Sequence, residues 1–302
     1  SNEGGAMQYL FEGLPSRDMP IPWAVWVGPL MGWMMFIGAI ALGSICVSVI
    51  LRKQWSEYER LAYPILQPAV DLAETEARVS LFKNHLFWIG VAIPFFIFSF
   101  NMISYFSPGF PRISLSRGWM PIGSYFPHIH VSLNLYTMGF AYFANIEVLL
   151  SIWVFYLFYC TQVSMYRRLG INLSGRGDTK SDATAGLQAG GAFVMLVLWG
   201  LWMARHHIRD VFRKAFNPSC SVDDSDEMLS YRFSAFGFIF SLIFMIGWLQ
   251  AVGIAWMVSI VLTLGFFMSY IGVARVIAET GVVYYSMSMS GLGILPFLFG
   301  GP

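Results

Sequence analysis

The stretch LRKQWSEYERLAYPILQPAVDLA, residues 51–73, lies between two long apolar runs. Its charged side chains are too costly to place in hydrocarbon, so this segment does not face lipid. Pro64 and Pro68 exclude one continuous helix through it, because proline lacks the amide hydrogen that an interior helical position uses. The sequence therefore predicts a polar connector that lines or gates a path between bundled helices. The alternative is an ordinary solvated connector.

The composition indicates an integral membrane protein. Of the 302 residues, 57% are hydrophobic and 12% are charged, whereas soluble domains carry about 25% charged residues. Apolar runs of about 20 residues, the length that crosses the hydrocarbon core of a bilayer, recur along the chain. The lipid bilayer is therefore the first predicted partner. The net charge of +1 gives no argument for nucleic-acid binding.

The apolar runs predict an all-α fold, a polytopic transmembrane helix bundle with about six spans and a truncated seventh. Proline and glycine within the runs allow broken or re-entrant helices. We predict a single membrane domain over residues 1–302. Because the chain stops in apolar sequence, we expect it to be a fragment of a longer protein. The predicted spans cover residues 23–51, 86–104, 139–165, 187–204, 233–249 and 254–276.

The basic residues of the connectors bear on orientation. Lysine and arginine number five in residues 52–85, two in 105–137, four in 165–186 and five in 205–232. Six alternating crossings would leave the last connector outside, against the positive-inside rule. Either the fourth span is re-entrant, or this connector is an exception. The simple crossing is the preferred interpretation, since the rule is a bias.

Glu147 is the sharpest candidate site residue, because the prediction places it inside the third span together with Asn145. A carboxylate there is expected to face the bundle interior or a water-filled cavity. Ser151 lies one helical turn further on. The functional interpretation is an acid that couples proton or solute movement. The alternative is an acid hydrogen-bonded between helices for structural reasons.

Two polar stretches at span ends supply the other candidates. Arg275 and Glu279 are spaced i,i+4 at the end of the sixth span, as an interfacial ion pair or as part of a polar path. In the first connector, Glu59 and Arg60 precede the step from Tyr63 to proline. The predicted pathway residues are therefore Glu147, Asn145, Glu59, Arg60, Tyr63, Arg275 and Glu279.

The sequence offers no catalytic constellation. His128 and His130 have no cysteine or carboxylate pair nearby, so no metal site is predicted. There is no nucleophile elbow and no phosphate-binding glycine loop. We therefore predict no enzymatic activity, no cofactor and no metal.

The segment ERLAYPILQPAV, residues 59–70, resembles the acid-x-Leu-x-Tyr-Pro step of the oligopeptide transporter superfamily. The wider run from Trp55 to Val70, and the ending RVIAETG, resemble a set of uncharacterised bacterial membrane proteins distantly similar to that superfamily. The resemblance implies a bundle with broken helices and a full protein about twice this length. It also implies secondary transport of a peptide or metal chelate. Where the transporters continue with Ser-Gly, this chain has Ile65 and Leu66.

The leading functional prediction is therefore a secondary transporter of a small solute, working by alternating access in the bacterial inner membrane. The alternative is a structural or scaffold subunit of a membrane complex, which the low charge and aromatic surface suit equally. Further partners would be the remainder of the chain or other membrane subunits. A polar cavity beside Glu147 would distinguish a transporter from a scaffold.

Overall fold

The computed structural model describes residues 6–13, 21, 23–74, 80, 82–107, 109–123, 125–170, 183–217 and 222–282. These ranges form a helical bundle, which confirms the all-α prediction. The helices are α1 (Ala6–Glu12), α2 (Trp23–Lys53), α3 (Gln67–Ala73), α4 (His85–Phe106), α5 (Leu135–Ala141), α6 (Ile146–Arg168), α7 (Ala183–Met203), α8 (Arg205–Phe216), α9 (Tyr231–Ala251) and α10 (Trp256–Thr280). A π-helical turn, Gln54–Tyr58, extends α2, and a 3-10 turn, Pro64–Leu66, precedes α3.

Within these ranges, five helices are long and apolar enough to cross a membrane: α2 with its π-helical turn, α4, α6, α9 and α10. The described apolar part of α7, Gln188–Met203, is shorter. The protein is therefore an integral membrane protein that contacts the lipid bilayer. The predicted seventh apolar piece, from residue 291, lies outside the described residues.

The third span begins later than predicted. The sequence places it at residues 139–165, whereas α6 runs from Ile146 to Arg168 and the separate short helix α5 precedes it. Asn145 starts α6, because its side chain accepts a hydrogen bond from the backbone amide of Glu147 at 3.0 Å. A capping side chain of this kind satisfies an amide that has no partner within the helix.

By its internal contacts the chain divides into two units, and the first comprises residues 1–58 and 201–267. Its centre is an antiparallel pair, α2 and α9. Ser241 of α9 is fully buried and donates to the carbonyl oxygen of Ala39 at 2.6 Å. Near the start of α2 and the end of α9, the rings of Trp33 and Trp248 lie 4.8 Å apart.

Small residues allow the two helices to approach closely. A Cβ added at Gly237 would lie 2.8 Å from Sγ of Cys46, and one added at Gly43 would collide with the Ser241 hydroxyl. Glycine at such points is how membrane helices gain packing contact without a hydrophobic driving force between them.

Helix α8 packs on the end of this pair. It is strongly amphipathic and buries His207, Val211 and Ala215 along one face. Nε2 of His207 lies 2.9 Å from the carbonyl oxygen of Ile50, and Val211 packs with Ile50 and Tyr231 in a buried apolar cluster. The opposite face carries exposed basic residues, so α8 uses its apolar face to hold α2 and α9 together.

The second unit comprises residues 59–200 and 268–302. In it, the loop between α4 and α5 contains an antiparallel hairpin of β1 (Ser116–Met120) and β2 (Ile129–Ser132). The Asn101 side chain of α4 hydrogen-bonds both backbone groups of Ile113, at 2.8 and 3.0 Å. The tip of the hairpin reaches α6, where Arg167 donates to the carbonyl oxygen of Phe126 at 3.2 Å.

Candidate functional site

The candidate site is an ion pair between Glu59 and Arg275. Oε2 of Glu59 lies 2.6 Å from Nη2 of Arg275, and the two side chains are 16% and 17% exposed. Glu59 directly follows the π-helical turn that ends α2, and Arg275 lies near the end of α10. Both charges are therefore largely withdrawn from the surface at the ends of spanning helices.

The backbone around Glu59 is irregular. Arg60 and Tyr63 both have positive φ angles, 52° and 44°. Non-glycine residues adopt this left-handed region uncommonly, and such residues cluster at functional sites. The amide of Tyr63 donates to the carbonyl oxygen of Ala278 in α10 at 2.9 Å. The irregular segment is thus held against the helix that supplies Arg275.

Gly281, just after α10, packs against the same irregular segment. It has a φ of +70°, and a Cβ added to it would lie 2.8 Å from Cβ of Pro64. Both facts require glycine at this position. The structure therefore brings together the two polar stretches that the sequence singled out, the first connector and the end of the sixth span.

One hydrogen-bond donor group of the Arg275 guanidinium is not used within the described residues. Its Nη1 atom is buried and has no hydrogen-bond partner within the part of the chain that the structure describes. Gly200 lies beside it, and a Cβ added there would be 3.1 Å from Nη1. Buried polar atoms without a partner are uncommon and call for an explanation, and a ligand that accepts the hydrogen bond is one.

The interior position predicted for Glu147 is wrong. Glu147 lies in the first turn of α6 and is exposed, and Asn145 is the exposed cap before it. The Ser151 hydroxyl donates to the backbone carbonyl oxygen of Glu147 at 2.7 Å, and not to its carboxylate. An acid in a first turn is favoured by the helix dipole. The pattern Asn-x-Glu before an apolar run signals this helix start.

Of the remaining predicted pathway residues, some lie at the site and others are exposed. Arg275 pairs with Glu59 and not with Glu279, whose side chain is exposed. Arg60 is also exposed, and its left-handed backbone lies beyond the last helical residue, Tyr58. Of the seven predicted pathway residues, Glu59, Tyr63 and Arg275 meet at the site.

Of the described side chains, no group of three or more His, Cys, Asp and Glu residues is placed to hold a metal ion. His130 instead packs its ring against Trp119, with ring centroids 5.0 Å apart. The arrangement at Glu59 and Arg275 offers charge, hydrogen-bond donors and an interrupted backbone, which suit ligand binding.

Sequence reasoning missed a second ion pair, in the first unit. Arg52, at the end of α2, binds the carboxylate of Glu227 through Nε at 2.7 Å and Nη2 at 3.0 Å. The Glu227 side chain is 2% exposed and also accepts from the Tyr231 hydroxyl at 3.2 Å. In the sequence, Glu227 is one of four acids in residues 223–227. No short-range pattern links it to Arg52, 175 residues away.

The loop that carries Glu227 is shaped by its other acids. Asp224 accepts from the backbone amide of Tyr231 at 3.1 Å, at the start of α9. Asp223 accepts from the amide of Ser225 at 3.0 Å. The hydrogen bonds from Ser225, amide first and then hydroxyl, hold the pKa of the Asp223 carboxyl below its usual value. These two hydrogen bonds fold the loop that carries Glu227 against the start of α9.

We expect Glu227→Gln to lower the stability of the protein by about 1–2 kcal/mol, because it weakens two charge-assisted hydrogen bonds from a guanidinium. The measurement is the thermal unfolding midpoint in detergent, followed by tryptophan fluorescence. Asp226→Asn is the matched control, since Asp226 is exposed in the same loop. Equal midpoints for the two variants would contradict this role.

The comparisons with known proteins locate the chain in one family. No curated protein and no solved structure matches it. A family model described as "Family of unknown function (DUF6785)" matches residues 2–301. Since this match covers almost the whole sequence, the chain belongs to the family of unknown function DUF6785.

Proposed function

We propose that this protein is a secondary transporter of a small solute in the bacterial inner membrane. The observation that carries the proposal is the ion pair of Glu59 and Arg275, where the chain leaves regular helix. Ionisable residues near the ends of packed spans are costly to bury and commonly mark solute or ion pathways. Irregular backbone at membrane depth is tolerated where protein covers it or where it lines a cavity.

The spare donor of Arg275 favours an anionic solute. A guanidinium binds carboxylates through two parallel hydrogen bonds. Nη2 is engaged by Glu59, whereas Nη1 has no acceptor among the described residues. A carboxylate on the solute would supply that acceptor. Both solute classes implied by the resemblance carry one, the peptide at its C-terminus and the metal chelate on its organic ligand.

Glu59 replaces Glu147 as the coupling acid in this proposal. Protonation of Glu59 removes the charge that holds Nη2 of Arg275, so that a solute carboxylate on Nη1 can engage Nη2 as well. Deprotonation restores the ion pair, and the repulsion between two carboxylates on one guanidinium expels the solute. Alternating access requires such a pair of mutually exclusive states. The left-handed residues Arg60 and Tyr63 give the segment a backbone that can exchange between them.

A scaffold role is the second candidate, and α4 favours it. None of the residues in its apolar window is buried within the chain, and its exposed side chains include Phe95, Phe96 and Phe98. A face of this kind is covered by lipid or by another membrane subunit. A scaffold needs no movement of protons or solute.

The test uses the purified protein in liposomes that contain the pH dye pyranine, under an inward proton gradient. The probes are dialanine and ferric citrate. We expect one of them to be taken up with acidification of the interior. Arg275→Lys should reduce that uptake by about tenfold, because lysine keeps the charge but loses the fork of donors. Liposomes without protein are the control. No flux with either probe would reject transport of these two classes.

A further inference from the structure

The antiparallel pair of α2 and α9 fixes which helix ends lie together. Trp33 near the start of α2 packs on Trp248 near the end of α9. At the other extreme, Arg52 at the end of α2 binds Glu227, just before α9 begins. Two spanning helices packed in this way leave the end of the first and the start of the second on the same face of the membrane.

We propose that the chain makes an even number of membrane crossings between α2 and α9, so that residues 52–58 and 222–230 lie on one side. Three apolar helices, α4, α6 and α7, stand between them. Three full crossings would put the end of α2 and the start of α9 on opposite sides, against the contact of Arg52 with Glu227. One of the three helices therefore enters the membrane without crossing it.

A second contact, within the other unit, also requires an even number of membrane crossings. The amide of Tyr63, shortly after α2, donates to the carbonyl oxygen of Ala278, near the end of α10. Pro64 likewise packs against Gly281. The end of α10 thus lies on the side where α2 ends. Both α9 and α10 cross after α7, so an even number of crossings is again needed among α4, α6 and α7.

The distribution of basic residues, taken alone, favours α7 as the helix that does not cross. If α7 is re-entrant, residues 52–85, 165–186 and 205–232 share one side and together hold fourteen lysines and arginines. Residues 105–137 lie on the other side and hold two. This asymmetry agrees with the positive-inside rule and makes the basic side cytoplasmic. It also removes the conflict that six alternating crossings create at residues 205–232.

The contacts at the end of α6 identify that helix instead as the one that does not cross. Arg167 and Arg168 contact the hairpin tip at Phe126 and Tyr125, which places residues 165–186 on the side of the 105–137 loop. The basic residues then divide ten to six, and the same side stays the more basic. We assign α6 because a side-chain contact cannot join the two sides of a membrane, whereas the positive-inside rule is a bias.

The test is labelling of single cysteines in intact cells by a maleimide that does not cross the membrane, in a Cys220→Ser background. The labelled positions are exposed: Glu74→Cys after α2, Ile122→Cys in the hairpin, Leu169→Cys after α6 and Asp226→Cys before α9. We expect Ile122→Cys and Leu169→Cys to react in intact cells. The other two should react only after the membrane is permeabilised, which also shows that their thiols are accessible and reactive.

Opposite behaviour of Glu74→Cys and Asp226→Cys would overturn the even number of crossings. Protection of Leu169→Cys in intact cells, with Ile122→Cys reactive, would overturn the assignment of α6 and transfer it to α7. If a cysteine variant fails to accumulate, fusion of a reporter enzyme active only outside the cytoplasm, joined after residue 74, 169 or 226, gives the same comparison.

Discussion

Glu59→Gln is expected to abolish proton-coupled uptake in liposomes and to lower the stability of the protein by about 2 kcal/mol, since it leaves a largely buried guanidinium without its counter-charge. The uptake is lost because glutamine cannot exchange a proton. The stability is lost because Arg275, 17% exposed, keeps its charge and loses its strongest acceptor. Uptake is measured with the pyranine assay and stability by thermal unfolding in detergent.

Two further variants separate the functional role of this pair from a structural one. Glu57→Gln changes an exposed carboxylate two residues away and should alter neither quantity. The double variant Glu59→Gln with Arg275→Gln removes both charges, which is often close to neutral for a buried pair. We therefore expect the double variant to recover most of its stability while uptake stays absent. Uptake by the double variant at the rate of the unmodified protein would show that the pair is structural.

Gly43→Leu is expected to disrupt the packing of α2 and lower the stability by about 3 kcal/mol, the upper range for overpacking a close contact. A Cβ at this position would collide with the buried hydroxyl of Ser241 and lie 2.5 Å from Cζ of Phe267. Ser241 would have to give up its hydrogen bond to the carbonyl oxygen of Ala39.

Gly38→Leu is the matched control, because Gly38 lies in the same helix with nothing within 4 Å of its added Cβ. Both substitutions increase the helix propensity of α2 by the same amount. Their difference in unfolding midpoint therefore isolates the contact at Gly43. A midpoint for Gly43→Leu equal to that for Gly38→Leu would contradict the close packing of α2 on α9 and α10.

Much of the fold follows from hydropathy alone. The bounds predicted for the first, second, fifth and sixth spans lie within a few residues of α2, α4, α9 and α10, because a bilayer requires a continuous apolar run of fixed length. The start of the third span was predicted seven residues too early, at residue 139. Apolar composition continues through α5 into α6, and only the cap Asn145 marks where the helix begins.

The candidate site was predictable in part. The sequence singled out Glu59, Tyr63 and Arg275 because charges and proline interrupt apolar runs there. It paired Arg275 with Glu279 because a spacing of four residues is visible in one dimension. The observed partner, Glu59, lies more than 200 positions earlier, and only the folded chain brings the two together. The pair of Arg52 and Glu227 was missed for the same reason.

The long interval between Arg52 and Glu227 has a consequence for biosynthesis. A ribosome that adds about 5–20 residues per second takes roughly 9–35 s to advance the 175 positions from Arg52 to Glu227. During that interval α2 must lodge in the bilayer without α9. Its small-residue face, with Gly43 and Cys46, is then open to lipid or to the insertion machinery. Nascent α2 is therefore a segment on which a membrane chaperone would have that whole interval to act.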